Sequence, residues 1–432
     1  MNKEGLVAFD AIPLAVAVSP RRVPRITRAF TKLFGPRPLA FLAALGFAVP
    51  ALAAGNDPDW FSPVIGASVT YDDNLFRLSP GADPQTVLGR STKSDWIASA
   101  NLGVKIDKPY GLQRFQLDAM ETRYRYQNAT FLNHDTFEYR GAWLWQLTPR
   151  LGGEISIERT QALVNYADYR VYSALNLQTN QFQRAKFDWW AGGGWHVLGG
   201  VVATESRNSQ VFNAVGNFDQ NTAEAGVRYI TRDDSSLTFI ARSSRGEYQG
   251  RVIDPVNVLD NHFTQQEGEV RGIWRYSQQS LFDGRLGYLD RHHANFSQRD
   301  YQGPVGRLGY TWTPDAKLRF DVFASRDLYS FQELTNSYYV SNVIGIVPNW
   351  LISEKTTAHL RLDRATRDFR GAVVATPLMR FDTVRSASAG IDWKATRGLL
   401  VTGEVRREQR DSNFTGFDYK VNVVTVKAQL TF

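Results

Sequence analysis

From Val64 onward the chain alternates apolar and polar residues with period two over most of its length. The stretch Val421 to Phe432 shows this most plainly. Val424, Val426, Ala428, Leu430 and Phe432 fall on one face of an extended segment, and Thr425, Lys427, Gln429 and Thr431 fall on the other. Such a segment is a strand with one apolar and one polar face. From Ser94 the same pattern repeats as pairs of strand candidates of roughly 10–14 residues, the length that a tilted membrane-crossing strand requires.

Turn chemistry separates the paired strands. Tight reversals are expected at D-K-P-Y-G from Asp107, T-P-R-L-G from Thr148, H-V-L-G-G from His196, T-R-D-D-S from Thr231, S-Q-Q-S from Ser277, T-P-D-A from Thr313, S-E-K-T from Ser353 and A-T-R-G from Ala395. Pro, Gly, Asp, Asn and Ser favour reversals at such positions. The run A-G-G-G-W, Ala191 to Trp195, is expected as a kink inside a strand. Trp145, Trp195, Tyr229, Trp274, Trp312, Trp350 and Trp393 stand ahead of seven of the turns, one to four residues before each. In a closed sheet these rings would share one height, as an aromatic girdle does at a membrane interface. The other connections, Asp72 to Lys93, Gln127 to Asp135, Asn165 to Gln178, Tyr248 to His262 and Asp368 to Pro377, are longer and more polar, as extracellular loops are.

The fold class that follows is all-β: a transmembrane antiparallel barrel of 18 strands, with 16 as the alternative count. Residues 64–432 would form the barrel, after a short periplasmic lead-in at residues 55–63. Residues 1–54 combine an N-terminal extension with an export signal: a basic stretch from Arg21, an apolar run from Leu39 to Val49, then small residues suited to cleavage near Ala53 or Ala54. That apolar run is shorter than the ~20 residues of a spanning helix. The mature barrel is therefore placed in a bacterial outer membrane. A soluble propeller or sandwich is the competing reading, but propeller blades carry four short strands each.

Within a barrel the charged register of each strand marks the lumen, because an Arg or Lys facing lipid near the midplane costs ~2–4 kcal/mol. This assigns to the lumen Arg184, Lys186 and Asp188; Glu267, Glu269, Arg271 and Arg275; Lys317, Arg319 and Asp321; Arg361 and Asp363; and Glu404 and Arg406. The inner wall then carries both signs of charge, able to form ladders across strands and to meet a polar solute.

Composition narrows the function. Aromatic residues make up 13% of the chain, with 11 Trp and 18 Tyr, and there is no Cys, so disulfides and thiolate metal sites are excluded. The net charge of +7 is dispersed among acids and partly confined to the N-terminal segment, which argues against nucleic acid as a partner. No metal or cofactor site is expected. The six His include one adjacent pair, His292 and His293, without metalloprotease spacing, and no G-x-S-x-G or phosphate loop occurs. The chain is accordingly expected not to be an enzyme; a hydrolase on the barrel rim is the minor alternative.

The phrase Y-D-D-N-L-F-R-L, Tyr71, Asp72, Asp73, Asn74, Leu75, Phe76, Arg77 and Leu78, follows the first strand candidate. With the terminal Phe432 and the aromatic-plus-turn repeats, it resembles the EpsL-type outer-membrane barrels of exopolysaccharide operons associated with exosortase and PEP-CTERM sorting. The alternating strand ending on Phe432 also resembles the closing strand that the barrel-assembly machinery recognises. The EpsL resemblance implies export or assembly of extracellular polysaccharide through the barrel, with outer-membrane lipid, polysaccharide, and periplasmic and inner-membrane export components as partners. Read from the residues alone, Asp72, Asp73 and Asn74 suit an Asx-type turn. The alternative function is a general diffusion porin for small polar solutes.

Overall fold

The structure is a computed structural model, described over residues 60–210, 216–331, 336–373 and 379–432. The expected export signal at 1–54 and residues 55–59 of the lead-in lie outside the described residues. The strands are β1 (Phe61–Asp72), β2 (Asp95–Tyr110), β3 (Gln113–Tyr126), β4 (His134–Thr148), β5 (Leu151–Leu163), β6 (Leu177–Gly192), β7 (Trp195–Asn208), β8 (Asn217–Ile230) and β9 (Ser236–Gln249). They continue as β10 (His262–Ser277), β11 (Ser280–His293), β12 (Tyr301–Trp312), β13 (Leu318–Ser330), β14 (Tyr338–Ser353), β15 (Thr356–Arg370), β16 (Phe381–Lys394), β17 (Leu399–Ser412) and β18 (Tyr419–Thr431). Each strand pairs antiparallel with its sequence neighbours, and β1 also pairs with β18, closing an 18-stranded barrel. Closure satisfies every sheet edge, which a lipid environment demands.

Residues directly opposite each other in an antiparallel pair lie on the same face, so the registers carry one face right round the ring. At the seam Ile65, Ala67, Val69 and Tyr71 of β1 face Leu430, Ala428, Val426 and Val424 of β18, and the Phe432 amide donates to the Pro63 carbonyl at 3.0 Å. Over its periplasmic and middle levels this face is apolar and open to its surroundings, with Leu102, Leu286 and Ile344 each at least 60% exposed, and charged residues such as Glu121, Arg123 and Arg385 enter it toward the extracellular end. It is the lipid-facing wall. The opposite face carries the ion pairs that run from strand to strand along the middle of the wall, and is the lumen.

Eight short turns lie at one end of the barrel and the long connections at the other, the periplasmic and extracellular ends respectively. Two turns differ from expectation. The chain reverses at Gly193 and Gly194, both with positive φ, and not at His196, which lies inside β7. Three successive glycines, Gly192 to Gly194, reach backbone conformations that other residues adopt only under strain. The first reversal is at Gly111 and Leu112, because β2 runs on to Tyr110. In addition β1 begins at Phe61, so residues 61–63 of the expected lead-in are strand.

The largest apolar cluster among the described residues lies not in the wall but at the extracellular mouth. Leu75, Phe76 and Leu78 of the β1–β2 connection are buried against Tyr126, Ala129 and Leu132 around the β3–β4 connection and against Tyr166 of the β5–β6 connection. A second set of loops is wired by polar contacts. Buried Arg299 donates to the carbonyls of Asn257, Val258 and Asn336, and Asp260 accepts from Asn295 and from the amide of Phe296.

Candidate functional site

The site is the lumen and its mouth. All fourteen charged residues read as lumenal fall on the inner register, and most are joined by ion pairs. Lys186 on β6 reaches Glu224 on β8 at 2.8 Å across β7, where Gly200 leaves room for its stem. Glu224 pairs with Arg242 on β9 at 3.2 Å, and Arg242 pairs with Glu267 at 3.0 Å and Glu269 at 3.3 Å on β10. Glu269 also takes Arg271 at 2.7 Å and Arg285 at 3.6 Å, and Arg285 continues to Asp327 at 2.9 Å. One charge-assisted chain thus runs from β6 to β13 along the inner wall.

Elsewhere the pairs are local. Arg184 meets Glu158 at 3.0 Å, Arg319 meets Asp321 at 2.9 Å and Arg361 meets Asp363 at 2.7 Å. Asp188 is held by His196 at 2.6 Å and by Arg228. Glu404 lies 3.8 Å from His359, whose other nitrogen faces Asp392 at 3.5 Å. Arg275, Lys317 and Arg406 make no ion pair among the described residues and leave cationic heads for solvent or solute. The sequence reading missed Arg242, Glu224 and His359, though the alternation that marked their neighbours marks them equally.

The seven girdle aromatics all fall on the outward register beside the periplasmic turns. Trp195 stands just after its turn, not before it. The adjacent His292–His293 pair has carboxylate partners: His292 lies 3.1 Å from Asp290 and 3.0 Å from Asp300, and His293 lies 3.3 Å from Asp300. No group of three or more His, Cys, Asp or Glu suited to a metal ion occurs among the described residues.

The residues of the Tyr71 to Leu78 phrase make a turn that ties the barrel seam. Asp72 accepts from the Asn74 amide at 2.9 Å and takes Arg77 at 2.9 Å. The Asn74 side chain accepts from the Leu78 amide at 2.9 Å and donates to the carbonyls of Leu78 at 2.8 Å and Lys420 at 3.0 Å. Asp73 accepts from Asn422 at 2.7 Å. Asp72 and Asn74 are buried, so their polar atoms are spent on the fold.

The mouth is organised by the β5–β6 connection, residues 164–176. Its Asp168 accepts from Arg367 on β15 at 3.0 Å, from Arg410 on β17 at 2.8 Å and from Arg380, which leads into β16, at 2.5 Å. Strands β6 and β15 are nine places apart in either direction round the ring, so this loop crosses the mouth from one wall to the other. Arg380 also pairs with buried Asp382 at 2.7 Å, and Arg170 lies 3.8 Å over the Phe417 ring. Three arginines therefore meet two aspartates, with Arg170 beside them, leaving cationic excess at the constriction. Burial alone would raise the Asp168 carboxyl, but Arg410, Arg367 and Arg380 outweigh it and hold it at about 2. Sequence reasoning missed this cluster because its members come together only on ring closure.

Residues 283–432 match a protein-family model described as "Putative beta-barrel porin 2". No curated protein sequence matches the chain. Among solved structures, a BenF-like porin from Pseudomonas fluorescens Pf-5 is similar over 87% of this chain and 99% of its own, with TM-score 0.51 and 11% identity. OccK2 (OpdF) from Pseudomonas aeruginosa is similar over 87% of this chain and 98% of its own, with TM-score 0.50 and 11% identity. At such identity the likeness is one of fold: the chain shares the closed antiparallel barrel of these porins. The polysaccharide-export expectation, with polysaccharide and the periplasmic and inner-membrane export components as partners, is corrected by these findings, which point to porins. The physical reason lies at the mouth, where a polymer would have to thread past a loop clamped to the opposite wall.

Proposed function

We propose that the protein is a diffusion porin that passes small polar solutes across the outer membrane and performs no chemistry on them. The observation that carries this reading is the inner wall itself. It is lined by charges of both signs, most already paired, and narrowed by a cross-lumen loop. Paired charges keep a channel wet without binding any one solute tightly, and passage requires weak interaction along the path. The match of residues 283–432 to a porin family supports the same reading. The fourteen lumenal residues act in it as a collective lining, with Arg275, Lys317 and Arg406 as the cationic heads open to solute. The test is a liposome swelling assay with the folded protein and a series of sugars of rising size. Swelling that falls off with solute size is expected; no swelling with the smallest sugar would overturn the proposal.

A further inference from the structure

Along four strands of one side of the wall, β13 and β15 to β17, the outward register ends its apolar run on an arginine. On β13, Leu318, Phe320, Val322 and Ala324 are followed by Arg326, and on β15, Ala358, Leu360 and Leu362 are followed by Arg364. On β16, reading upward from Trp393, Ile391, Ala389 and Ala387 lead to Arg385, and on β17, Val401, Gly403 and Val405 lead to Arg407. Each arginine stands eight residues above the first outward residue of its strand, or above Trp393 on β16. At ~3.3 Å per residue and a tilt near 40° this is about 20 Å of height, close to the ~25 Å of an outer-membrane apolar band. These side chains therefore sit at the level of the outer-leaflet head groups.

Their partners are incomplete. Arg364 faces Arg385 directly across the β15–β16 pair, an arrangement of like charges that destabilises unless an anion lies nearby. Asp411 offsets Arg385 at 2.6 Å, whereas Arg364 makes no ion pair among the described residues. Arg326 donates only to neutral oxygens, of Asn342 at 2.9 Å and Pro304 at 3.2 Å. Beneath Arg326 and Arg364 the outer wall is indented by a groove of about 570 Å³, floored by Leu286, Leu308, Ala324 and Ile344. A cationic head above an apolar trough is complementary to an amphiphile that carries a phosphate above an acyl chain.

We propose that this groove binds a phosphorylated glycolipid of the outer leaflet, with the phosphate between Arg326 and Arg364 and one acyl chain along Leu308, Ala324 and Ile344. The groove lies outside the lumen and is independent of what the pore passes. The test is native mass spectrometry of the folded protein in detergent. Four samples are compared: bisphosphorylated lipid A, dephosphorylated lipid A, inorganic phosphate, and lipid A with excess inorganic phosphate. A 1:1 lipid A adduct is expected, at least tenfold weaker for the dephosphorylated form and unmoved by free phosphate. Arg326→Ala/Arg364→Ala should weaken it at least tenfold. Arg364→Gln, at an exposed and unpaired position, serves if the double variant does not fold. Arg159→Ala, which removes an outward arginine at the same height on β5, should leave binding unchanged. Equal binding by the groove variants, equal loss in Arg159→Ala, or saturation by inorganic phosphate alone would each overturn the proposal.

Discussion

At the residue scale the mouth turns on Asp168. One carboxylate holds three guanidinium groups from β15, the approach to β16 and β17, and its removal leaves these three arginines with one remaining acid, Asp382. Asp168→Asn should detach the loop from the far wall. Single-channel recordings are expected to show larger or noisier openings than the parent; indistinguishable traces would mean that the clamp does not set the constriction. The pH dependence has a definite sign. A carboxyl held at about 2, below its ordinary value of 3.8, stabilises the clamped loop above pH 4 and loses that contribution as pH falls through 2. Openings at pH 4.5 and pH 7 should therefore agree in amplitude as far as the clamp sets it. None of this was legible in the sequence. Asp168 lies 199 to 242 positions from its partners, and nothing in local alternation specifies which arginine a loop will meet.

At the element scale two contacts between strands are open to test. Asn74 joins the top of β1 to β18 through its side-chain bond to the Lys420 carbonyl, and is itself held by bonds with Asp72 and Leu78. Asn74→Ala should cost about 1–3 kcal/mol by stranding buried groups, seen as a lower urea midpoint for the folded barrel; an unchanged midpoint would show that the turn is held elsewhere. Arg242 is the hub between β8 and β10. Arg242→Ala leaves Glu224, Glu267 and Glu269 facing one another. It should lower stability by a similar amount and move the reversal potential in a salt gradient toward cation selectivity. Strand pattern was legible because lipid outside and water inside force every second residue to differ, and the outward girdle follows from the same rule. Turn positions were less so. Leu198-Gly199-Gly200 looks like a reversal, yet those glycines sit inside β7 where the Phe187 ring and the Lys186 stem cross them, while the neighbouring Gly193–Gly194 makes the turn.

At the scale of the whole molecule the barrel encloses a mixed-charge lumen crossed at its outer end by the clamped β5–β6 loop, and its outer wall carries an apolar band capped on several strands by arginines. The eighteen strands were countable from turn chemistry, since each hairpin costs two strands and both ends fall on the same side. The use of the lumen was not, because alternation reports which face is wet and says nothing of what the water carries. The measurement that tests the pore most directly is conductance of the folded protein in a planar bilayer, with folding verified by heat-modifiable migration. Discrete openings in simple salt, unaffected by added extracellular polysaccharide, are predicted. A verified barrel that conducts no ions, or a conductance blocked by the polymer, would contradict the account of a porin for small solutes.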